Sequence, residues 1–159
     1  MSCEPPGDRA SGAGDRVRFK RLRSNPDLEL PARATGGAAG YDVRSCERFR
    51  LAPGEVRAAR TGLAMELPEG VECQVRPRSG LAARHGVTLP NSPGTIDSDY
   101  RGELKILMQN LGPEPVEIRR GDRIAQLVFN RCLTPAVEEA PALSATERGA
   151  GRFGSTGVK

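Results

Sequence analysis

Asp97, Asp99, Tyr100 and Arg101 put two carboxylates, an aromatic ring and a guanidinium into one short run of chain. Such a set can do phosphoryl chemistry. Hydrolysis of a phosphoanhydride needs a water held in line with phosphorus and a group to accept its proton. Asp97 is the candidate for that task. The run continues the stretch Asn91-Ser92-Pro93-Gly94-Thr95-Ile96, and apolar residues resume at Leu104. Pro93-Gly94 has the composition of a tight turn, so the whole reads as a strand–turn–strand hairpin. Turns are also rich in Asp, Asn and Gly for purely conformational reasons. On local grounds a solvated turn carboxylate explains Asp97 equally.

Two other stretches have the chemistry of anion sites. Arg78-Ser79-Gly80 opens a brief helical candidate, where free N–H groups, a hydroxyl and a guanidinium could bind phosphate. An N-capping serine in an ordinary turn fits the same residues. Gly154-Ser155-Thr156-Gly157 offers backbone N–H groups and hydroxyls after Phe153, but no Gly-Lys-Ser/Thr follows as in a P-loop. Metal chemistry by a dedicated protein cage is disfavoured. The four cysteines (Cys3, Cys46, Cys73 and Cys132) are far apart, and His85 is the single histidine.

Short strands must position these groups. Apolar–polar alternation begins at Val17, and candidate strands recur around 41–43, 47–51, 56–60, 63–67, 71–75, 87–89, 104–109, 116–118 and 124–133. Gly and Pro punctuate them at Pro53-Gly54, Pro68-Glu69-Gly70, Leu111-Gly112-Pro113 and Arg120-Gly121. The only helical candidate runs over 80–84. Regular short strands between turn signals predict an all-β sandwich or barrel. The boundaries expected are a disordered tail over 1–16, a β domain over 17–134 and a C-terminal arm over 135–159.

The 159 residues suit one domain. Aromatics are only 4% of the chain and Trp is absent, so burial shared between subunits is an expectation. Twenty-four basic and 20 acidic side chains leave a net charge of +4, but the basic ones are dispersed. That pattern argues against stable nucleic-acid binding and fits a few Arg serving a small polyanion. No long apolar run or signal peptide is visible, which predicts a cytoplasmic protein with reduced thiols and no membrane attachment.

Five segments in order resemble the signature motifs of the trimeric dUTPase family. They are Ala39-Gly40-Tyr41-Asp42-Val43, Arg76-Pro77-Arg78-Ser79-Gly80-Leu81-Ala82, the stretch from Asn91 to Glu103, Gly121-Asp122-Arg123-Ile124-Ala125-Gln126-Leu127, and the segment from Arg148 to Gly157. The resemblance implies a jelly-roll homotrimer that hydrolyses dUTP to dUMP and diphosphate with Mg2+. Such an enzyme limits uracil in DNA and supplies dUMP for thymidylate. It implies that Asp97 orients the attacking water at the α-phosphorus, and that Tyr100 lies beneath the sugar and excludes a 2′-hydroxyl. Asn91, Gly94, Thr95, Ile96 and Asp97 would line the nucleoside pocket, and Lys105 matches a ligand contact of some relatives. Arg78, Ser79, Gly80, Gln126 and Arg148 would hold phosphates. Phe153 would stack on uracil, while Gly154, Ser155 and Thr156 close over the phosphates from a neighbouring subunit. Asp42 would act on the hydrated metal indirectly, Mg2+ being held mainly by the substrate phosphates. Arg152 departs from the glycine that the family usually has before the stacking aromatic.

Two rival readings follow from the same residues. A dCTP deaminase of the same fold would need a carboxylate at cytosine C4 and has no use for Tyr100 in this arrangement. A regulatory binding module on the same scaffold would have no need of intact Asp97, Ser79 and Phe153.

Overall fold

The computed structural model describes residues 16–150. The expectations for Phe153, Gly154, Ser155, Thr156 and Arg152, and all but the last residue of the expected tail, lie outside the described residues.

Inward-facing positions of the strands are apolar almost without exception, and this alternation builds the architecture. β9 (Glu103–Asn110) is the clearest case: Leu104, Ile106 and Met108 are buried while Lys105 and Leu107 face out. Burying each of these three side chains contributes about 1.5–3 kcal/mol. The polar member of the inward row, Asn110, is satisfied. Its Nδ2 donates to the carbonyls of Leu51 and Glu114, and its Oδ1 accepts from Gly112 N–H.

Eleven strands and one short helix are present among the described residues. A four-stranded sheet runs β1 (Arg18–Arg21), β5 (Val56–Glu66), β9 and β7 (Val87–Thr88). A five-stranded sheet runs β2 (Ala32–Arg33), β3 (Tyr41–Arg44), β11 (Arg123–Arg131), β6 (Val71–Arg76) and β8 (Gly94–Ile96). β4 (Phe49–Leu51) pairs with β10 (Val116–Ile118). All pairings are antiparallel, and one apolar core drawn from all three sheets joins them. This is the all-β, jelly-roll-like fold expected.

Three local expectations are corrected. The segments at 56–60 and 63–67 are one strand, β5, carried through Gly62 by a bulge. Gly62 has φ +64, a left-handed conformation that glycine adopts at little cost. Second, the stretch from Asn91 to Glu103 is not a hairpin. β8 pairs with β6 and β9 pairs with β5 and β7, so the chain crosses between sheets at Asp97–Gly102. Third, Gly94 is no turn residue: it is a buried strand residue opposite Val75, and the preceding turn closes earlier, from Ser92 N–H to the Leu89 carbonyl.

The helix α1 (Ser79–His85) starts one residue before its expected bounds and ends one residue after them. Gly86, at φ 67, terminates it in the left-handed conformation common at helix ends, its N–H bonded to the Ala82 carbonyl. Beyond Cys132 the described arm has no strand, and Leu133, Val137 and Leu143 are almost wholly exposed.

Candidate functional site

The crossover from β8 to β9 forms the first part of the site. Thr95, Ile96, Asp97, Tyr100, Glu103 and Lys105 line an open cleft of about 360 Å³. Hydrogen bonds fix its floor. Tyr100 N–H donates to the Asp97 carbonyl at 3.2 Å, closing the turn. The Tyr100 hydroxyl donates to the Glu103 carbonyl at 3.1 Å, laying the ring back over the start of β9. Arg101 braces the outside through the Ser98 and Tyr100 carbonyls. Gly102 leaves room for the ring in this position, because a Cβ would fall 2.4 Å from the Tyr100 hydroxyl. Tyr100 is 43% exposed, which leaves its ring available to a ligand rather than to the core.

The second part lies where β3, β11 and α1 meet. Arg78 Nε donates to Asp42 Oδ1 at 3.0 Å, and Arg123 Nη1 donates to Asp42 Oδ2 at 2.9 Å. Arg78 also reaches the Arg123 carbonyl at 3.2 Å. Arg44, Arg78, His85 and Arg123 line a cleft of about 420 Å³ whose floor includes Leu81, Val116 and Ile118. Gln126 ties the parts of this region together. Its Nε2 donates to the Pro77 carbonyl at 3.1 Å, and its Oε1 packs so closely on Gly40 that a Cβ there would meet it at 2.2 Å. Arg78, rather than Ser79, is the N-cap of α1, and no side chain caps that end. Ser79 is exposed at the first helical position.

The β6–β8 ladder sets the spacing of the two parts. Ile96 lies opposite Cys73, and Gly94 opposite Val75, so Asp97 leaves the sheet near the start of β6. Arg78 follows the other end of β6, which stops at Arg76. Along the strand this is about 15–20 Å, at roughly 3.3 Å per residue. Asn91 sits at the Arg78 end, its Nδ2 against Gly94, and not in the cleft with Asp97 and Tyr100. Within one chain the carboxylate cleft and the guanidinium cleft therefore do not converge.

The structure thus brings Thr95, Ile96, Asp97, Tyr100 and Lys105 together, and separately Asp42, Arg78 and Gln126. Arg148 is exposed on the arm. Sequence reasoning missed Glu103 and Arg44. Glu103 lines the first cleft, and its carboxylate accepts from Arg60 Nε at 3.2 Å through both oxygens and from Gly62 N–H at 3.0 Å. This hydrogen bond and charge push the Arg60 guanidinium's proton affinity further up. The available signal was an acid directly after Arg101-Gly102, inside the stretch already singled out. Among the described residues no group of three or more His, Cys, Asp or Glu converges to hold a metal, and no helix is long and apolar enough to cross a membrane. Cys46, Cys73 and Cys132 are free thiols. Burial, with a smaller contribution from Glu72, raises the Cys73 thiol to about 12.

The sequence profile of the dUTPase family matches residues 27–157. The deoxyuridine 5′-triphosphate nucleotidohydrolase of Anaeromyxobacter sp. is 54% identical over 142 residues, covering 89% of this chain and 97% of the relative. That of Caulobacter vibrioides is 53% identical over 150 residues, covering 92% and 97%. Among solved structures, a Staphylococcus bacteriophage 80alpha dUTPase with dUpNHpp superposes with a TM-score of 0.81 at 28% identity, over 90% of this chain and 99% of that one. With the family profile covering both clefts and relatives matched almost end to end at half identity, the chain belongs to the dUTPase family.

Proposed function

We infer that this protein hydrolyses dUTP to dUMP and diphosphate, in sites that two or more copies of the chain build together. The observation that carries the reading is the cleft of Asp97, Tyr100 and Lys105, exposed and open, in a chain of the dUTPase family. Asp97 takes the proton of a water directed at the α-phosphorus. Tyr100 lies under the sugar, where a 2′-hydroxyl would collide with its ring. Thr95 and Ile96 present strand backbone to the base. Rejecting thymine by one methyl is worth roughly 1–3 kcal/mol, and a mismatched hydrogen-bonding edge, as in cytosine, excludes more strongly.

Arg78 and Gln126, with Arg123 and Arg44 beside them, face the phosphates. Guanidiniums suit this task because they pair with phosphate oxygens in a planar, bidentate way. Because Asp97 and Arg78 stand at opposite ends of β6 in one protomer, one substrate meets both only if they come from different copies. A homotrimer satisfies this with closed symmetry, each interface repeating the same shared site. Arg148 and the segment after it, with Phe153, Gly154, Ser155 and Thr156, would close over the substrate from a further copy.

The residues present fit magnesium carried in by the substrate and not a dedicated protein cage. No converging ligand cluster is available among the described residues, and Mg2+ commonly keeps its waters and binds through phosphates. Asp42, whose two oxygens each still have a free lone pair beside a guanidinium, would accept hydrogen bonds from those waters. When bound, the ion neutralises phosphate charge. A cytoplasmic setting and a role in keeping uracil out of DNA accompany this reading.

The test is release of diphosphate from dUTP, dTTP, dCTP and UTP with Mg2+, for the wild type and Asp97→Asn. Release from dUTP alone, lost on substitution, is the expected result. No release from dUTP by the folded wild type would refute the reading, and ammonia formed from dCTP with the triphosphate left intact would favour a deaminase.

A further inference from the structure

Glu103 occupies an unusual position for a carboxylate beside a polyanion site. Its side chain is only 13% exposed, yet it lines the cleft that holds Asp97. An uncompensated second carboxylate there would repel a triphosphate. Arg60 supplies the compensation from the neighbouring strand, with Nε 3.2 Å from both carboxylate oxygens.

The bulge in β5 makes this contact possible. Arg60 pairs with Lys105 and Ala64 with Glu103, so the three buried residues between them in β5 stand against the single residue Leu104 in β9 and form a bulge. Three polar links pin that bulge. Gly62 N–H donates to Glu103 Oε1 at 3.0 Å, Thr61 Oγ1 donates to the Leu104 carbonyl at 2.6 Å, and Leu63 N–H donates to Thr61 Oγ1 at 3.2 Å. Gly62 packs closely on Asn25, leaving no room for a side chain: a Cβ on it would fall 2.5 Å from the Asn25 Cβ. The carboxylate of Glu103 is thereby fixed to a rigid bulge, while its carbonyl accepts the Tyr100 hydroxyl. Side chain and carbonyl of one residue link the bulge to the ring.

We propose that Glu103, held by Arg60 and the Gly62 amide, is a positioning residue that sets where the Tyr100 ring stands and so sets the discrimination between deoxyribose and ribose. The proposal rests on the dUTP reading above and adds to it the residue pair behind sugar selection. A ring that is free to tilt accommodates a 2′-hydroxyl; a ring tied to β9 does not. Steric rejection works only when the wall cannot yield. Glu103 touches neither substrate nor water in this scheme, and Arg60 acts through Glu103.

The test measures kcat/KM for dUTP and for UTP in the wild type, Glu103→Ala, Glu103→Gln, Arg60→Ala and Tyr100→Phe. The ratio of the two is the readout, because a merely structural defect lowers both values together. Glu103→Ala and Arg60→Ala are expected to reduce the dUTP/UTP ratio by about tenfold, the size of effect a few misplaced contacts have on selection. Glu103→Gln keeps an acceptor for the Gly62 amide and is expected to restore most of the ratio. Tyr100→Phe, which cuts the ring's own tether, should reduce the ratio, and adding Glu103→Ala to it should cost little more. An unchanged ratio in both Glu103→Ala and Arg60→Ala, with melting curves showing folded protein, would overturn the proposal. If Glu103→Ala does not fold, Arg60→Ala, an exposed position, decides alone. Absence of dUTP turnover in the wild type would instead refute the functional reading, so the two failures are distinguishable.

Discussion

Asp42 and Arg78, from β3 and from the entry to α1, are joined by a hydrogen-bonded ion pair at 3.0 Å, and the second oxygen of the same carboxylate holds Arg123 at 2.9 Å. One carboxylate on a central strand thus aims two guanidiniums at the same cleft. The family resemblance associates Asp42 with a hydrated metal; in the structure its two oxygens hold Arg78 and Arg123.

Asp42→Asn keeps the shape but gives up the charge. One of the two charge-assisted hydrogen bonds is lost, because the amide NH2 cannot accept, and the other weakens, each being worth about 1.5–3 kcal/mol when well shielded. The side chains are partly solvated, with Arg123 at 43%, so the stability loss should be only about 1 kcal/mol. The larger expected effect is a rise in KM for dUTP of about tenfold from misdirected Arg78. Steady-state kinetics beside a thermal melt check both. A normal KM would show that the arginines need no aiming.

Gly102→Ala places a methyl 2.4 Å from the Tyr100 hydroxyl. The position is exposed, so the fold should survive while the ring is displaced. A fall in kcat/KM for dUTP of about tenfold or more is expected, since small misplacements at a site are costly. Circular dichroism should be unchanged.

Gly62→Ala should act on the fold itself. The residue has φ +64, and the new methyl would lie 2.5 Å from the Asn25 Cβ, which is buried with its amide bonded to the Thr61 carbonyl. Backbone strain and the clash together should cost about 2–4 kcal/mol. Chemical denaturation measures it directly.

Cys73 gives a pH dependence with a definite sign. Burial pushes its thiol up to about 12 in the folded protein, above the ordinary value of 9.0. The unfolded chain releases the thiol proton first, so stability is full below pH 9 and falls as pH rises toward 12. The slope from this one group is about 1.4 kcal/mol per pH unit. Denaturation curves at pH 8 and pH 10 for wild type and Cys73→Ala should diverge in that sense, and the native thiol should resist alkylation.

Much of this was readable from the chain. The period of two in Leu104, Ile106 and Met108 marks β9 without help, and Asp97, Tyr100 and Lys105 do share a cleft. What failed were pairings decided at long range. Gly62 looks locally like a strand break, and only the β9 partner reveals that β5 continues through it as a bulge. Pro93-Gly94 has turn composition, but the core claims Gly94 as a strand residue opposite Val75. Glu103 meets Arg60 across 43 positions of sequence, a contact no local pattern encodes. The C-terminal signature from Gly151 onward lies outside the described residues.

The central claim is that Asp97 and Arg78 serve one site from different copies. Asp97→Asn and Arg78→Ala should each abolish dUTP hydrolysis in pure form. Denatured together in equal amounts and refolded, they should regain about a quarter of the wild-type rate, the statistical share of sites with both residues intact in a symmetric oligomer. A mixed, folded oligomer that stays as inactive as its parents would contradict the account.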